Sequence, residues 1–409
     1  NDSLHVEQYR RLGYKEEEIP EESSASSAEA LVSLAVLAMN TKDGETNNWP
    51  EAMSYLQKAH QMNPHHPVVL NFLADHMFFL GDAPRSRELA QEALRNTSNP
   101  PIEGVSHYLV ARTFHLEGEY ALAMQSYIAS KMAWKDFPLT RFGLAQMLLI
   151  QGKEDQALKE LQKVLSKFPN NFETLKLSVM LLQKKGDIGT ALELVKRLTS
   201  LAKEDPESWI LQGELMEKIY PARSLQAYKK AVELTREKKQ GILPEWLNNI
   251  GCLQRSQGFP DAAEASFSEA LQIQQSSLQE IVEKLKMADQ ILSGRARSSR
   301  AMEVDGASSS EGQETCPYSM TELEGLRSAR AHLRDIEVTL RFNLARTWED
   351  LGRVFEAKRG YEKLVRKHPA YIEAYMRLGI LAKEAGQHSL AIKWLTMARA
   401  VDPKNMDAR

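Results

Sequence analysis

A 34-residue spacing is the feature that most restricts how this chain can fold. Arg341 and Tyr375, Leu344 and Leu378, Ala345 and Gly379, and Gly352 and Gly386 each stand 34 residues apart. So do Ala357 and Ala391, Tyr361 and Leu395, Leu364 and Ala398, and Pro369 and Pro403. In both copies apolar and small residues recur at helical spacing on either side of the glycine, which reads as helix, turn, helix, and the proline stops the second helix. A unit this short cannot bury its apolar face alone. Copies have to stack, so the chain is committed to an array that grows along one axis.

Carried back along the chain, the pattern places inter-helix turns at Asn47, Gly81, Gly118, Gly152, Gly186, Ile219, Gly258, Gly352 and Gly386, in steps of 34, 37, 34, 34, 33, 39, 94 and 34 residues. Five residues past each turn stand Ala52, Ser86, Ala123, Ala157, Ala191, Ser224, Ala263, Ala357 and Ala391. Helices approach closely only where a small side chain leaves room, so this column predicts the crossings. Nine residues past the turns stand Leu56, Ala90, Tyr127, Leu161, Val195, Tyr228, Phe267, Tyr361 and Leu395, mostly large and apolar as a buried face requires. Pro64, Pro169, Pro369 and Pro403 follow their turns by seventeen residues. Period, small column and closing prolines together are the tetratricopeptide-repeat (TPR) signature.

The 94-residue step leaves roughly 60 residues beyond one repeat. Leu278, Ile281, Leu285 and Leu292 keep helical spacing after the Gly258 unit, predicting an extended second helix. The segment SMTELEGLRSARAHLRDIEVTLRFNLA predicts a lengthened first helix leading to Gly352. Between them, 294–319 is rich in Gly, Ser and charge without apolar periodicity, and reads as a disordered loop. The fold class is therefore all-α, a TPR superhelical solenoid of helix–turn–helix repeats with an inserted long helical hairpin. Its expected parts are a helical and acidic, Ser-rich linker (1–29), an array of about seven repeats (30–275), the inserted helices (276–337) and two further repeats (338–409). Ser26 and Glu29 have capping-box spacing for a helix beginning near Ala28. The chain lacks an initiator Met and stops soon after Pro403, where another repeat can start, so it reads as a fragment.

Composition narrows the chemistry. Lys plus Arg number 52 against 55 Asp plus Glu, a net charge of −3, which argues against an extended nucleic-acid surface. The two cysteines, Cys252 and Cys316, make neither a disulfide framework nor a metal knuckle and fit a reducing compartment. The longest uncharged apolar stretches fall far short of the ~20 residues of a membrane span. No phosphate loop, nucleophile elbow, HExxH or paired-Cys metal site is present, so neither an enzyme nor a cofactor is expected. His60, His65 and His66 lie at a helix end and in the following turn, where solvated histidines are common.

Binding is the better prospect. In such an array the first helices line the inner face, which holds extended segments. By phase with the turns, the inner-face positions are Asn71, Asp75, Tyr108, Arg112, Phe142, Gln146, Asn248, Cys252, Arg346 and Met376. Aromatic and amide groups mixed with isolated charges suit recognition of a peptide. Phe72, Phe78, Phe79, Phe137 and Phe142 read as inter-repeat core with a few groove contributors. Asn71 lacks the Lys and Arg partners in the next unit that a chaperone-tail clamp uses. Arg295, Arg297 and Arg300 surround Ser298, and acidic residues follow Ser308; both serines are phosphorylation candidates in a loop read as solvated.

The runs QMNPHHPVVLNFLADHMFFLGD, FGLAQMLLIQGKEDQALKELQKVLSKFPNNFETLK, LPEWLNNIGCLQ, FNLARTWED and HPAYIEAYMRLG, in this order, resemble the large TPR scaffold subunit (Ctr-type) of the nuclear Polymerase-Associated Factor (PAF) transcription elongation complex. The likeness covers most of 30–408 and includes FPNNFETLK, which the repeat itself does not require. Residues 1–29 and 294–319 depart from it. The resemblance implies a nuclear, non-enzymatic scaffold that supports RNA polymerase II elongation and co-transcriptional histone modification. It implies as partners the complex's namesake and parafibromin-like subunits, with RNA polymerase II and chromatin reached through the complex, and neither a membrane nor a direct nucleic-acid site. Other readings of the repeats alone are an assembly subunit of a different complex, or the TPR arm of an enzyme such as a glycosyltransferase.

Overall fold

The structure, a computed structural model, describes residues 27–39, 48–305 and 318–402, with side chains described outside 294–305. The described residues fold into α-helices and two compact units, one ending at Asp187 and one starting at Ile188. The first unit holds α1 (Ala28–Met39), α2 (Trp49–Met62), α3 (Pro67–Phe79), α4 (Ala83–Arg95), α5 (Pro100–Leu116), α6 (Tyr120–Ala133), α7 (Pro138–Ile150), α8 (Glu154–Lys167) and α9 (Phe172–Lys185). The second holds α10 (Ile188–Leu201), α11 (Pro206–Met216), α12 (Pro221–Glu237), α13 (Pro244–Ser256), α14 (Pro260–Asp305), α15 (Met320–Asp350), α16 (Val354–Lys367), α17 (Ile372–Glu384) and α18 (His388–Val401). The division falls inside the stretch read as one array, 30–275. An array whose repeats contact only their neighbours can part in this way without any change of local fold.

Local chemistry sets the helix ends. Proline occupies the first helical positions of α3, α5, α7, α11 and α13, where its missing N–H is not needed and its fixed φ suits the helix. Asp82, Asn171 and Asp205 cap α4, α9 and α11 by accepting from backbone N–H groups of the first turn. Gly352, at a predicted turn, has φ +72°, and the next N–H, of Arg353, returns to Trp348 O at 2.8 Å. Only glycine enters that left-handed closure without cost. The predicted turns at Gly81, Gly118, Gly152, Gly186, Gly258 and Gly386 share the same sign of φ. Asn47 and Ser26 lie outside the described residues. At the start of α1 it is Ser27 whose Oγ accepts, from Ala30 N at 3.1 Å.

The small column is sealed: Ala52, Ser86, Ala123, Ala157, Ala191, Ser224, Ala263 and Ala357 are all 0% exposed. In the large column Tyr127, Tyr228, Phe267 and Tyr361 are among the most completely buried side chains, while Leu395 is half-buried. Large meets small. A Cβ built on Gly143 would lie 2.4 Å from the Tyr127 ring, one on Gly251 would lie 2.7 Å from Phe267, and one on Gly379 would lie 2.8 Å from Leu395.

The inserted segment is a helical hairpin. Helix α14 continues the second helix after Gly258, and α15 runs back to Gly352 behind a capping box made by Ser319 and Glu322. The two are antiparallel: Leu285 and Ala288 pack with Leu323, Gln274 Nε2 donates to Leu333 O at 2.9 Å, and Trp348 Nε1 donates to Glu264 at 2.7 Å. One expectation is corrected here. Helix α14 does not stop at Gly294 but runs to Asp305, into the stretch read as a loop. The segment lacks apolar periodicity, yet it carries Arg, Ala, Met and Glu and no proline, so a helix already nucleated upstream propagates through it. Residues 306–317 lie outside the described residues.

Buried charge also ties the first unit together. Glu160 on α8 accepts from Arg141 (2.7 Å), Lys131 (3.0 Å) and Lys163 (3.0 Å), linking α6, α7 and α8. Burial alone would raise its pKa, but the three cationic donors outweigh burial and hold it at about 2 against an ordinary 4.5. Because the folded value is depressed, this contribution is complete above pH 4.5 and is lost as pH falls through about 2. Glu160→Gln should therefore cost about 3 kcal/mol at neutral pH, because it strands a buried arginine. The gap in thermal midpoint between wild type and variant should close as pH is lowered through that window. A gap that is constant with pH would show that the charge is immaterial. Separately, Gly251→Ala should destabilise the second unit by about 1–3 kcal/mol through overpacking against Phe267, with partial recovery in the double variant with Phe267→Leu, read by chemical denaturation.

Candidate protein-binding grooves

In the first unit, α3, α5, α7 and α9 are the first helices of their repeats, and their inner faces carry the predicted positions. On α5, Tyr108, Arg112 and Leu116 recur at intervals of four and so share one stripe. Arg112 Nη1 donates to Asp75 Oδ1 on α3 at 2.5 Å. Its guanidinium lies over the Phe78 ring, 3.9 Å from the centroid, with the Phe79 and Tyr108 rings at 5.4 and 5.5 Å. The pair is largely withdrawn from solvent, with 14% of the Arg112 and 11% of the Asp75 side chain exposed. Arg112 is thus a cation shared between a carboxylate and three rings, not an isolated charge. Asn71 is buried and accepts from Ser106 Oγ at 2.9 Å, beneath the surface that a ligand meets. Burial raises the Tyr108 hydroxyl to about 12, so it stays protonated.

Beside this pair lies a groove of about 460 Å³ lined by Phe78, Phe79, Phe142, Gln146 and, at the start of α9, Asn171 and Thr174. Phe142 and Gln146 are half-buried, whereas Phe79 and Leu116 are exposed. Phe72 and Phe137 belong to the core, so the clustered phenylalanines divide between two jobs. The groove offers open aromatic walls, the amides of Gln146 and Asn171 and one paired cation, a setting for apolar anchors of an extended chain.

The second unit presents a different inner face. Asn343 on α15 donates to Asn248 Oδ1 at 2.8 Å and approaches Cys252 Sγ at 3.5 Å, both on α13. About two helical turns on from the asparagine pair, Arg255 Nε donates to Asp350 at 2.5 Å, and Arg377 on α17 pairs with Glu349, which also accepts from the Tyr361 hydroxyl. Arg346 lies in the same stripe, half-buried. Met376 is half-buried against the core around Tyr361 and Leu378. Burial raises the Cys252 thiol above its ordinary pKa, so it is a poor nucleophile. Sequence reasoning missed Arg255, Asn343, Glu349, Asp350 and Arg377. The recurrence of Asn248, Cys252 and Arg255 at helical spacing signalled the stripe, but pairing across 95 residues (Arg255 to Asp350) has no local signal.

The histidines of the NPHHP turn play structural parts. His65 Nδ1 lies 2.8 Å from Glu92, and the buried His66, read as solvated from sequence, caps α3 by accepting from Val69 N at 3.4 Å. Among the described residues no three His, Cys, Asp or Glu side chains converge on a metal position, and no helix is long and apolar enough to cross a membrane.

Stacked helix pairs, sealed small-residue crossings and a recessed inner face define a tetratricopeptide-repeat protein, and the tetratricopeptide-repeat family profiles match residues 148–215 and 338–405. Over most of its length the chain is similar to the Protein CTR9 homolog of Arabidopsis thaliana, 30% identical over 93% of this chain and 33% of that one. It is 26% identical to the RNA polymerase-associated protein CTR9 of Caenorhabditis elegans, over 90% of this chain and 29% of that one. It is 22% identical to Tetratricopeptide repeat protein 1 of Schizosaccharomyces pombe, over 90% and 31%. Within the tetratricopeptide-repeat proteins the chain is thus similar to CTR9 proteins over nine-tenths of its length. It spans about a third of the length of these curated relatives.

Arg112→Ala should lower the stability of the first unit by about 3 kcal/mol, because it removes one partner of a buried ion pair. Arg112→Lys should recover only part of this, since an ammonium cannot spread over the Phe78 ring while meeting Asp75. Equal melting of Arg112→Ala and wild type would mean that the pair does not hold the repeats together.

Proposed function

We propose that this chain is a protein-binding scaffold of the nuclear PAF transcription elongation complex, supporting RNA polymerase II elongation and co-transcriptional histone modification without catalysis of its own. The observation that carries the reading is similarity to CTR9 chains across nine-tenths of the sequence, one of them named an RNA polymerase-associated protein. The two inner faces supply a physical means. Apolar anchors of partner segments enter the aromatic groove of the first unit, and polar side chains meet the amide and arginine stripe of the second. The partners on this reading are the namesake and parafibromin-like subunits of the complex, and polymerase and chromatin are reached through them. The site residues are Asn71, Asp75, Tyr108, Arg112, Phe142 and Gln146 in the first unit and Asn248, Arg346 and Met376 in the second. Asn71, Asp75 and Arg112 act from beneath the groove by holding its walls.

Affinity purification of the tagged chain from nuclear extract should enrich elongation-complex subunits and RNA polymerase II. Dominance of cytosolic partners would overturn the assignment. Phe79→Ser, at an exposed ring of the groove, should weaken capture of the namesake subunit about tenfold, roughly 1.4 kcal/mol, with an unchanged melting temperature. Undiminished capture would remove the first-unit groove from the interface.

A further inference from the structure

The arginines on the inner face of the second unit are not all paired. Of its three guanidiniums, those of Arg255 and Arg377 are paired with the carboxylates of Asp350 and Glu349, and that of Arg346 is not. Both carboxylates are occupied. Arg255 holds Asp350, while Arg377 and the Tyr361 hydroxyl hold Glu349. Arg346 has a buried Nε with no hydrogen-bond partner among the described residues. Its charge is felt nearby: burial foremost, then repulsion from Arg346 and Arg255, pushes the Arg377 guanidinium below its ordinary pKa, against the attraction of Glu384. Glu384 is exposed, where water screens it. Keeping an unpartnered guanidinium beside two others is unfavourable in the free chain, and an incoming anion would reverse that sign.

We propose that Arg346, flanked by Arg255 and Arg377, is a recognition site for an acidic side chain, Asp or Glu, within an extended peptide segment of a partner protein. The site deepens the scaffold reading and rests on it for the identity of the partner. Charge complementarity selects the occupant: a planar guanidinium with free donors takes a carboxylate in a two-point contact, while Glu349 and Asp350 repel any anion placed off that axis. An internal acidic residue fits better than a chain terminus. Capture of a terminal carboxylate on an inner face calls for free amide donors, and the Asn343 amide is already given to Asn248. About one helical turn separates Asn343 from Arg346 and about two separate Asn248 from Arg255, so a peptide lying along the stripe meets the amides and the cations in succession.

The test uses the whole chain and fluorescein-labelled peptides read by fluorescence anisotropy. The probes are an amidated peptide of alternating Glu and Ala, its Gln and Ala counterpart, and the latter with a free C-terminal carboxylate. The amidated Glu peptide should bind. Arg346→Gln should weaken it about tenfold or more, while Arg366→Gln, at an exposed arginine outside the cluster, should change it less than about twofold. Because Arg346 makes no ion pair among the described residues, Arg346→Gln should melt within about 2 °C of wild type. The proposal is overturned if the Gln peptide binds equally, if only the free-carboxylate peptide binds, if Arg346→Gln leaves affinity unchanged, or if that variant is markedly destabilised. None of these outcomes touches the complex assignment, which stands or falls on nuclear capture. Loss of that capture would in turn leave the peptide result intact.

Discussion

Close approach of helices at a small residue is the constraint on which the rest of the structure depends. Eight of the column residues, from Ala52 to Ala357, have no accessible surface. Opposite the small positions stand Tyr127, Phe267 and Leu395, each filling the space left where Gly143, Gly251 and Gly379 have no Cβ. A methyl group at such a position moves a helix, and a displaced helix moves every residue on its inner face. Groove geometry is therefore inherited from the crossings. Asn71 reaches Ser106, Asp75 reaches Arg112 and Asn248 reaches Asn343 because the first helices behind them are held at a fixed separation.

Polar groups on the inner faces serve two ends at once. Arg112 joins α3 to α5 and also lines an aromatic groove, and Glu349 gathers Arg377 and Tyr361 into the second unit's stripe. A groove whose polar lining is already hydrogen-bonded is pre-organised, so a ligand does not meet the ordering cost that loose side chains would impose. On the proposed reading, what remains for recognition is the exposed part: open rings in the first unit, and the unpaired Arg346 guanidinium in the second.

The repeat period, the left-handed turns, the sealed column and the helices flanking the 94-residue step were legible in the sequence. Each follows from residue type at a fixed local offset. The extent of α14 was not. From Gly294 onward its sequence has neither an apolar face nor a helix breaker, and only propagation from the preceding turns carries it to Asp305. The inner-face stripe was half legible. Phase with the turns picked out Arg112 and Arg346, but whether a charge on that face is paired depends on the residue presented by another helix. Asp75 lies 37 residues from Arg112, and Asp350 lies 95 from Arg255.

The second of those pairs marks the boundary between the two kinds of information. By itself the sequence determined that this chain stacks helix pairs, where they turn and which faces close, because packing at 34-residue spacing is written in side-chain size within each repeat. Only the tertiary structure decided that α13 and α15 are neighbours across the insertion, since two antiparallel helices leave the stack and return to it at the same level. Which arginine is left without a carboxylate was likewise settled there. Electrostatic pairing depends on distance in space, and in this part of the chain neighbours in space are remote in sequence.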